Sequence, residues 1–281
     1  MKEVILEMKN IVKTFPGVRA LDNVNVKIEK GTIHSLVGEN GAGKSTLMNV
    51  LSGVYPYGTY EGDIIYNGEI CKFKDIKESE TKGIVIIHQE LALIPYLSIM
   101  ENIFLGNEQA DKGVINWSKA RFEAKKLMKI VGLHEDPEAT VNTIGVGKQQ
   151  LVEIAKALSK NVELLILDEP TAGQDFKHYT EIMEFLCDLN KQGITIIMIT
   201  HDMHLMLEYT NRAIVLCEGE KLMDDSSYKV LTNNEIIKKA NLKETSLYEL
   251  AVKTDLKEPK QFVKKFIDYD RRYRKIWMKH S

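Results

Sequence analysis

Nine residues from Gly38 to Thr46, reading GENGAGKST, constrain this chain more than any other stretch of it. They fit GxxxxGK[ST] through Gly38, Gly43, Lys44 and Ser45. Before them Ile33–Val37 reads as a buried strand, and after them Thr46–Leu51 opens a helix. A strand, a glycine-rich loop and a helix in that order aim backbone N–H groups and a helix N-terminus at one point, an arrangement that suits an anion. Glycine permits the tight turn and the close phosphate approach. Glu39, Asn40, Gly41 and Ala42 then contribute backbone to a phosphate cradle. Lys44 reaches the β and γ phosphates as a point charge, and the Ser45 hydroxyl ligates Mg²⁺.

A second acidic pair completes the pattern. At Leu164–Glu169 the sequence LLILDE runs four apolar residues into two acids, placing carboxylates at the end of a buried strand where α/β sheets form their ligand crevice. Asp168 is the candidate Mg²⁺ ligand, and Glu169 the group to polarise an attacking water. Alone, a hydrophobic strand ending in two acids is an ordinary strand end; coupled to the phosphate loop it is informative.

The rest of the chain supplies the scaffold this motif needs. Ile33–Val37, Ile84–Ile87, Leu164–Leu167, Thr195–Ile199 and Ala213–Leu216 are nearly continuous apolar runs, as expected of parallel strands covered on both faces by helices. Val4–Asn10, Val24–Ile28 and Asp63–Tyr66 point to a small antiparallel layer. The section from Leu91 to Lys160 reads as helical, most clearly over Ser118–Val131, and is assigned as a helical subdomain at about 91–160 within a domain of residues 1–225. Residues 226–281 form a helical C-terminal extension.

Composition removes several classes. A formal charge of −2 argues against a nucleic-acid partner, and 44% hydrophobic with 28% charged residues describes a folded protein. Apolar runs such as Ile194–Ile199 are far short of the roughly 18 residues that cross a bilayer. The first ten residues carry Lys2, Glu3, Glu7 and Lys9 and form no signal peptide, so cytoplasmic residence is expected. Cys71, Cys187 and Cys217 are odd in number and widely spaced, which predicts reduced thiols.

With these motifs in family order, the chain resembles the ABC ATPases, the nucleotide-binding subunits of ATP-binding cassette transporters. The resemblance implies a P-loop NTPase fold of ABC type, binding of ATP and Mg²⁺, and ATP hydrolysis coupled to transport. It makes Gln89 the Q-loop glutamine, placed near Mg²⁺ and the γ-phosphate, Asp175 the D-loop aspartate, His201 the switch histidine and Phe15 the aromatic that stacks on adenine. The signature departs from the family pattern. Where relatives read LSGGQ or LSVGQ, this chain reads IGVGK, Ile144 to Lys148, keeping Gly147 but placing Gly145 where a hydroxyl is expected and Lys148 where a neutral glutamine is.

The family pairs two ATPase units head to tail, so a second ATPase subunit is implied, in a homodimer or with a homologue. Integral-membrane permease subunits and a substrate-binding protein or membrane substrate-binding subunit are the further partners, with the chain peripheral on the cytoplasmic side of the membrane. Through about Leu167 the likeness is to D-xylose and ribose-type sugar importer ATPases, carried by GENGAGKSTLMNVLSGVYPYGTYEGDI and KQQLVEIAKAL. From Asp168, DEPTAGQDFKHYTEIMEFL and LKETSLYELA resemble energy-coupling-factor ATPases of vitamin importers, including the thiamine-precursor type. The Q-loop and helical subdomain, expected to meet the permease, lie in the sugar-like part, which favours sugar over vitamin import. A cassette acting on ribosomes or DNA is the remote alternative.

One charge asymmetry remains. From Lys253 to Ser281 there are ten Lys/Arg and four Asp/Glu. Phe262, Val263, Phe266, Ile267, Tyr273, Ile276 and Trp277 fall at helical spacing among the basic residues, the pattern of an amphipathic helix. Packing on its own domain, a dimer contact and anchoring on anionic lipid are the three readings.

Overall fold

The computed structural model describes residues 3–111, 113–171, 176–242, 246–254, 256–259, 261–263, 265–266 and 269. In chain order, β1 (Val4–Phe15), β2 (Val18–Glu29) and β3 (Ile33–Val37) lead into α1 (Lys44–Leu51). Then come β4 (Glu61–Tyr66), β5 (Glu69–Cys71), α2 (Ile76–Thr81), β6 (Ile84–Ile87) and α3 (Ile99–Phe104). A short hairpin, β7 (Ala110–Asp111) and β8 (Val114–Ile115), precedes α4 (Trp117–Ile130) and α5 (Val146–Leu158). The remainder is β9 (Leu164–Asp168), α6 (Phe176–Lys191), β10 (Thr195–Ile199), α7 (Met203–Tyr209), β11 (Arg212–Cys217), β12 (Glu220–Asp225), α8 (Ser227–Val230), α9 (Asn234–Lys239) and α10 (Ser246–Lys253).

The chain divides into two compact units. The first comprises residues 1–47, 58–71 and 198–281. In it β2, β1, β4 and β5 form an antiparallel sheet, and β1 buries Ile5, Leu6, Met8 and Ile11, its alternation broken by register shifts between Val4 and Leu6 and between Met8 and Ile11. The same unit pairs β3 with β11 in parallel, Leu36 opposite Ile214, and adds β12 antiparallel to β11. All five residues of β3 are buried. A strand covered on both faces shows no regular polar phase, and its two polar residues, His34 and Ser35, are buried with the rest. On β11, Val215 and Cys217 join Met206, Val230, Ile237 and Leu242, so the segment after Asp225 docks here through the apolar faces of α8 and α9.

The second unit comprises residues 48–57 and 72–197. β6 and β9 run parallel, Ile84 opposite Leu164, and α5 packs against α3 and α4. Helix α3 starts in a capping box: the Ser98 hydroxyl accepts from Glu101 N–H while Glu101 Oε2 accepts from Ser98 N–H at 2.8 Å. The Ser98 hydroxyl also donates to Glu101 Oε2 at 2.6 Å, and that bond, with the one from Ser98 N–H, holds the Glu101 carboxyl below its usual range. The hairpin β7–β8 interrupts a section whose sequence reads as helical; its strands are two residues each, too short for alternation to register. All three cysteines are buried and outside any disulfide among the described residues, as their spacing predicts.

Candidate functional site

In the first unit the phosphate loop leaves β3 and enters α1 as predicted. Gly38, Gly41 and Gly43 hold φ of +149°, +85° and +100°, a region that L side chains avoid. Two of them are also held by neighbours: a Cβ on Gly38 would lie 2.1 Å from the Leu216 carbonyl oxygen, and one on Gly43 2.7 Å from that of Ala20. Lys44, 9% exposed, curls back so that Nζ donates to the carbonyls of Gly38 and Glu39, both at 2.8 Å. Ser45 is exposed at the helix start and Thr46 half-buried behind it. Glu39, Asn40 and Gly41 are exposed on the outer turn, and Ala42 is buried.

Two contacts that sequence reading missed brace this loop, through Gly219 and Asn241, and a third, at Lys13, lies beside Phe15. Gly219, in the turn between β11 and β12, donates to the Ala42 carbonyl at 3.2 Å and accepts from Asp22 N–H at 2.8 Å. Asn241, just past α9 with φ +45°, donates through Nδ2 to Glu39 Oε1. Lys13, 7% exposed, places Nζ 5.1 Å from the centroid of the Phe15 ring and donates to Thr59 O at 2.6 Å. Phe15 ends β1 and is half-buried. His201 is exposed immediately after β10, and Asp202 beside it caps α7, accepting from the N–H groups of His204 and Leu205 at 2.9 and 3.0 Å. Asp202 therefore fixes the helix start next to His201.

In the second unit Asp168 ends β9 and Glu169 follows with φ +48°. A left-handed glutamate is uncommon and turns the chain sharply at the strand end. Gln89 is exposed, two residues beyond β6. Gly145 is the N-cap of α5 at φ −64°, ψ 158°, where no side chain caps the helix. Gly147 lies in the first turn, and Lys148 pairs with Glu135 Oε1 of the same chain. Its positive charge thus already has an acidic neighbour. Asp175 lies outside the described residues.

Ser45 in the first unit and Asp168 and Gln89 in the second each carry a side-chain oxygen, the donor type that Mg²⁺ takes. Among the described residues there is no cluster of three or more His, Cys, Asp or Glu that could hold a metal by itself.

The sequence profile of the ABC transporter family matches residues 21–172, more than half of the chain. The chain belongs to the ABC transporter family. Among ABC relatives, the L-arabinose transport ATP-binding protein AraG of Geobacillus stearothermophilus is 57% identical over 239 residues, 85% of this chain and 47% of that protein. The xylose import ATP-binding protein XylG of Thermoanaerobacter pseudethanolicus is 51% identical over 237 residues, 84% of this chain and 47% of that one. This chain spans about half the length of the curated relatives it matches. A solved ABC cassette in its ADP conformation superposes with TM-score 0.73 at 25% identity, over 84% of this chain and 98% of its own. CbiO1 of Clostridium perfringens, part of the ABC transporter complex cbiONQ, superposes with TM-score 0.73 at 27% identity, over 91% and 100%. The fold is thus the ABC ATPase fold, as the motifs imply. An alignment of 239 residues also runs past Leu167, so the likeness to sugar-transport proteins is not confined to the first part of the chain.

Proposed function

We propose that this chain is the ATP-binding and ATP-hydrolysing part of an ABC importer for a pentose-type sugar such as xylose, ribose or arabinose. The observation that carries this is the 57% identity to an L-arabinose transport ATP-binding protein over a stretch that must include Lys44, Asp168 and Glu169. Lys44 and the N–H groups of the phosphate loop hold the phosphates of ATP. Ser45, Asp168 and Gln89 hold Mg²⁺, which when bound neutralises charge on the phosphate oxygens. Glu169 orients and polarises the attacking water, His201 donates toward the γ-phosphate, and Phe15 takes the adenine. Gly145, Gly147 and Lys148 of one subunit, with the N-terminus of α5, face the γ-phosphate held by another, Asp175 lies at that interface, and a second ATPase subunit is needed.

Among the described residues no helix is long and apolar enough to cross a membrane. In this reading the stroke passes to integral-membrane subunits around Gln89, with the chain peripheral on their cytoplasmic side and a substrate-binding protein supplying the sugar. The second reading, vitamin import through a membrane substrate-binding subunit, rests on the resemblance of DEPTAGQDFKHYTEIMEFL and LKETSLYELA to energy-coupling-factor ATPases. Co-purification with membrane subunits and their identification separates the two. In that complex Glu169→Gln is expected to abolish steady-state hydrolysis and to trap an ATP-bound dimer on size-exclusion chromatography. Undiminished turnover would remove Glu169 from the reaction.

A further inference from the structure

Among the described residues two lysines are buried, Lys44 and Lys13, and only the first has a task in the nucleotide chemistry above. Lys13 stands on β1 two residues before Phe15. The strand slips its register on β2 between Lys13 and Thr14, an irregularity of the kind that re-aims side chains, and Thr14 itself is exposed. The Lys13 ammonium lies 5.1 Å from the centroid of the Phe15 ring and donates to the Thr59 carbonyl at 2.6 Å. Taking an ammonium out of water is costly, and both the carbonyl dipole and the negative face of the ring offset that cost. A methionine fills comparable space with no such cost, so packing alone gives no reason for a cation here.

The hairpin that carries both residues rests on the phosphate loop. Opposite Lys13 on β2 is Leu21, and a Cβ on Gly43 would lie 2.9 Å from Leu21 Cδ2 and 2.7 Å from the Ala20 carbonyl oxygen. Phe15 pairs with Val18 across the turn at Pro16 and Gly17, which puts its half-buried ring at the hairpin tip. A half-buried ring keeps part of its surface for a ligand. The cation draws π density toward itself and leaves the rest of the ring poorer in electrons, which strengthens stacking with an electron-rich purine.

We propose that Lys13 is a positioning residue for adenine: its ammonium fixes and polarises the Phe15 ring, and so raises affinity for the base of ATP without touching ATP. The proposal rests on the reading of Phe15 as the residue that takes the adenine, and adds the group that sets that ring in place. Its neighbours on the page, Thr59, Leu21 and Gly43, all belong to the first unit.

The test measures binding of Mg²⁺-ATP and of Mg²⁺-tripolyphosphate to the full chain by titration calorimetry, the second ligand carrying phosphates and no base. Lys13→Met should weaken ATP binding by about five- to tenfold, the scale of one desolvated cation–ring contact, and leave tripolyphosphate binding unchanged. Lys13→Arg keeps a cation for the ring and should return ATP affinity to within about twofold of the parent. Lys13→Gln keeps a donor for the Thr59 carbonyl but lacks the charge; it should bind ATP as weakly as Lys13→Met, and it carries the test if Lys13→Met does not fold. In a Phe15→Ala background, Lys13→Met should cause no further loss, because the ring it acts through is gone. Parent ATP affinity in Lys13→Gln or in folded Lys13→Met overturns the proposal. So does an equal loss of tripolyphosphate, which would make Lys13 a brace of the phosphate loop through Leu21, and so does a loss that persists in Phe15→Ala. Phe15→Ala with parent ATP affinity overturns the adenine reading of Phe15 itself, so the two failures are distinguishable.

Discussion

Gly145 occupies the N-cap of α5 with φ and ψ that serine favours at such a cap, and a Cβ placed there meets nothing within 4 Å. Gly145→Ser is therefore free of steric cost and restores the hydroxyl expected at the signature. A hydrogen bond to a charged acceptor contributes about 1.5–3 kcal/mol, so the variant should hydrolyse ATP on the order of tenfold faster or more, measured by phosphate release. An unchanged rate would show that the hydroxyl is dispensable in this chain. Glu153, on α5 and 6% exposed, gives a second residue-scale expectation, now in stability. Its Oε1 has no hydrogen-bond partner among the described residues. Its pKa in the folded chain is raised, so its contribution to stability is fully present below the unfolded value of 4.5 and is lost as pH rises through the higher folded value. The groups facing it are Lys156, Lys160 and His88, with Glu80 and Glu90 in the open cavity that it lines. Glu153→Gln should match the parent's melting temperature near pH 4 and exceed it increasingly toward pH 8. Parallel curves across that range would contradict the assignment.

Elements far apart in sequence hold the phosphate loop in shape. The loop itself was legible: four motif positions between an apolar strand and a helix announce it. Its bracing was not, because Gly219 and Asn241 follow it by about two hundred residues, and single glycines and asparagines carry no periodic signal. Asn241 is joined to the last apolar turn of α9, which docks on β11 through Ile237 and Ala240, so the start of the C-terminal extension reaches Glu39. Asn241→Gly keeps the left-handed backbone and removes only the donor. The Glu39 carboxylate, no longer tethered, is then free to swing toward the phosphate cradle, and ATP affinity should fall by about two- to fivefold, the scale of one neutral donor. Isothermal titration returning the parent affinity would show that the tether plays no part. Glu169 illustrates a different limit. Its place at the end of an apolar strand was readable, but its left-handed backbone follows from how the chain must turn there, and residue type does not encode it.

For the molecule as a whole, the proposed function calls for assembly with a second ATPase unit. The C-terminal extension is the element whose part in that assembly the sequence left open among three readings. Phe262 and Val263 pack with Tyr248, Leu247 and Leu207 of the same unit, and Val263 is 1% exposed. Ile267, Tyr273, Ile276 and Trp277 lie outside the described residues. The packing favours an internal role for the first turns, so truncation before Glu258 should lower stability by about 2–4 kcal/mol, the scale of two lost apolar side chains, with ATP-dependent dimerisation intact. Dimerisation lost at temperatures where the truncated monomer stays folded would assign the extension to the interface. The sequence by itself determined the nucleotide chemistry, the alternation of buried strands with helices and the family, because phosphate binding and two-sided burial each demand particular residues at short, fixed spacing. Only the tertiary structure decided which distant residues brace the phosphate loop, that Lys148 has its partner in Glu135, and that Glu153 is buried with an oxygen unserved. Those depend on which faces meet after folding, and a contact between residues brought together only by packing leaves no local pattern in the chain.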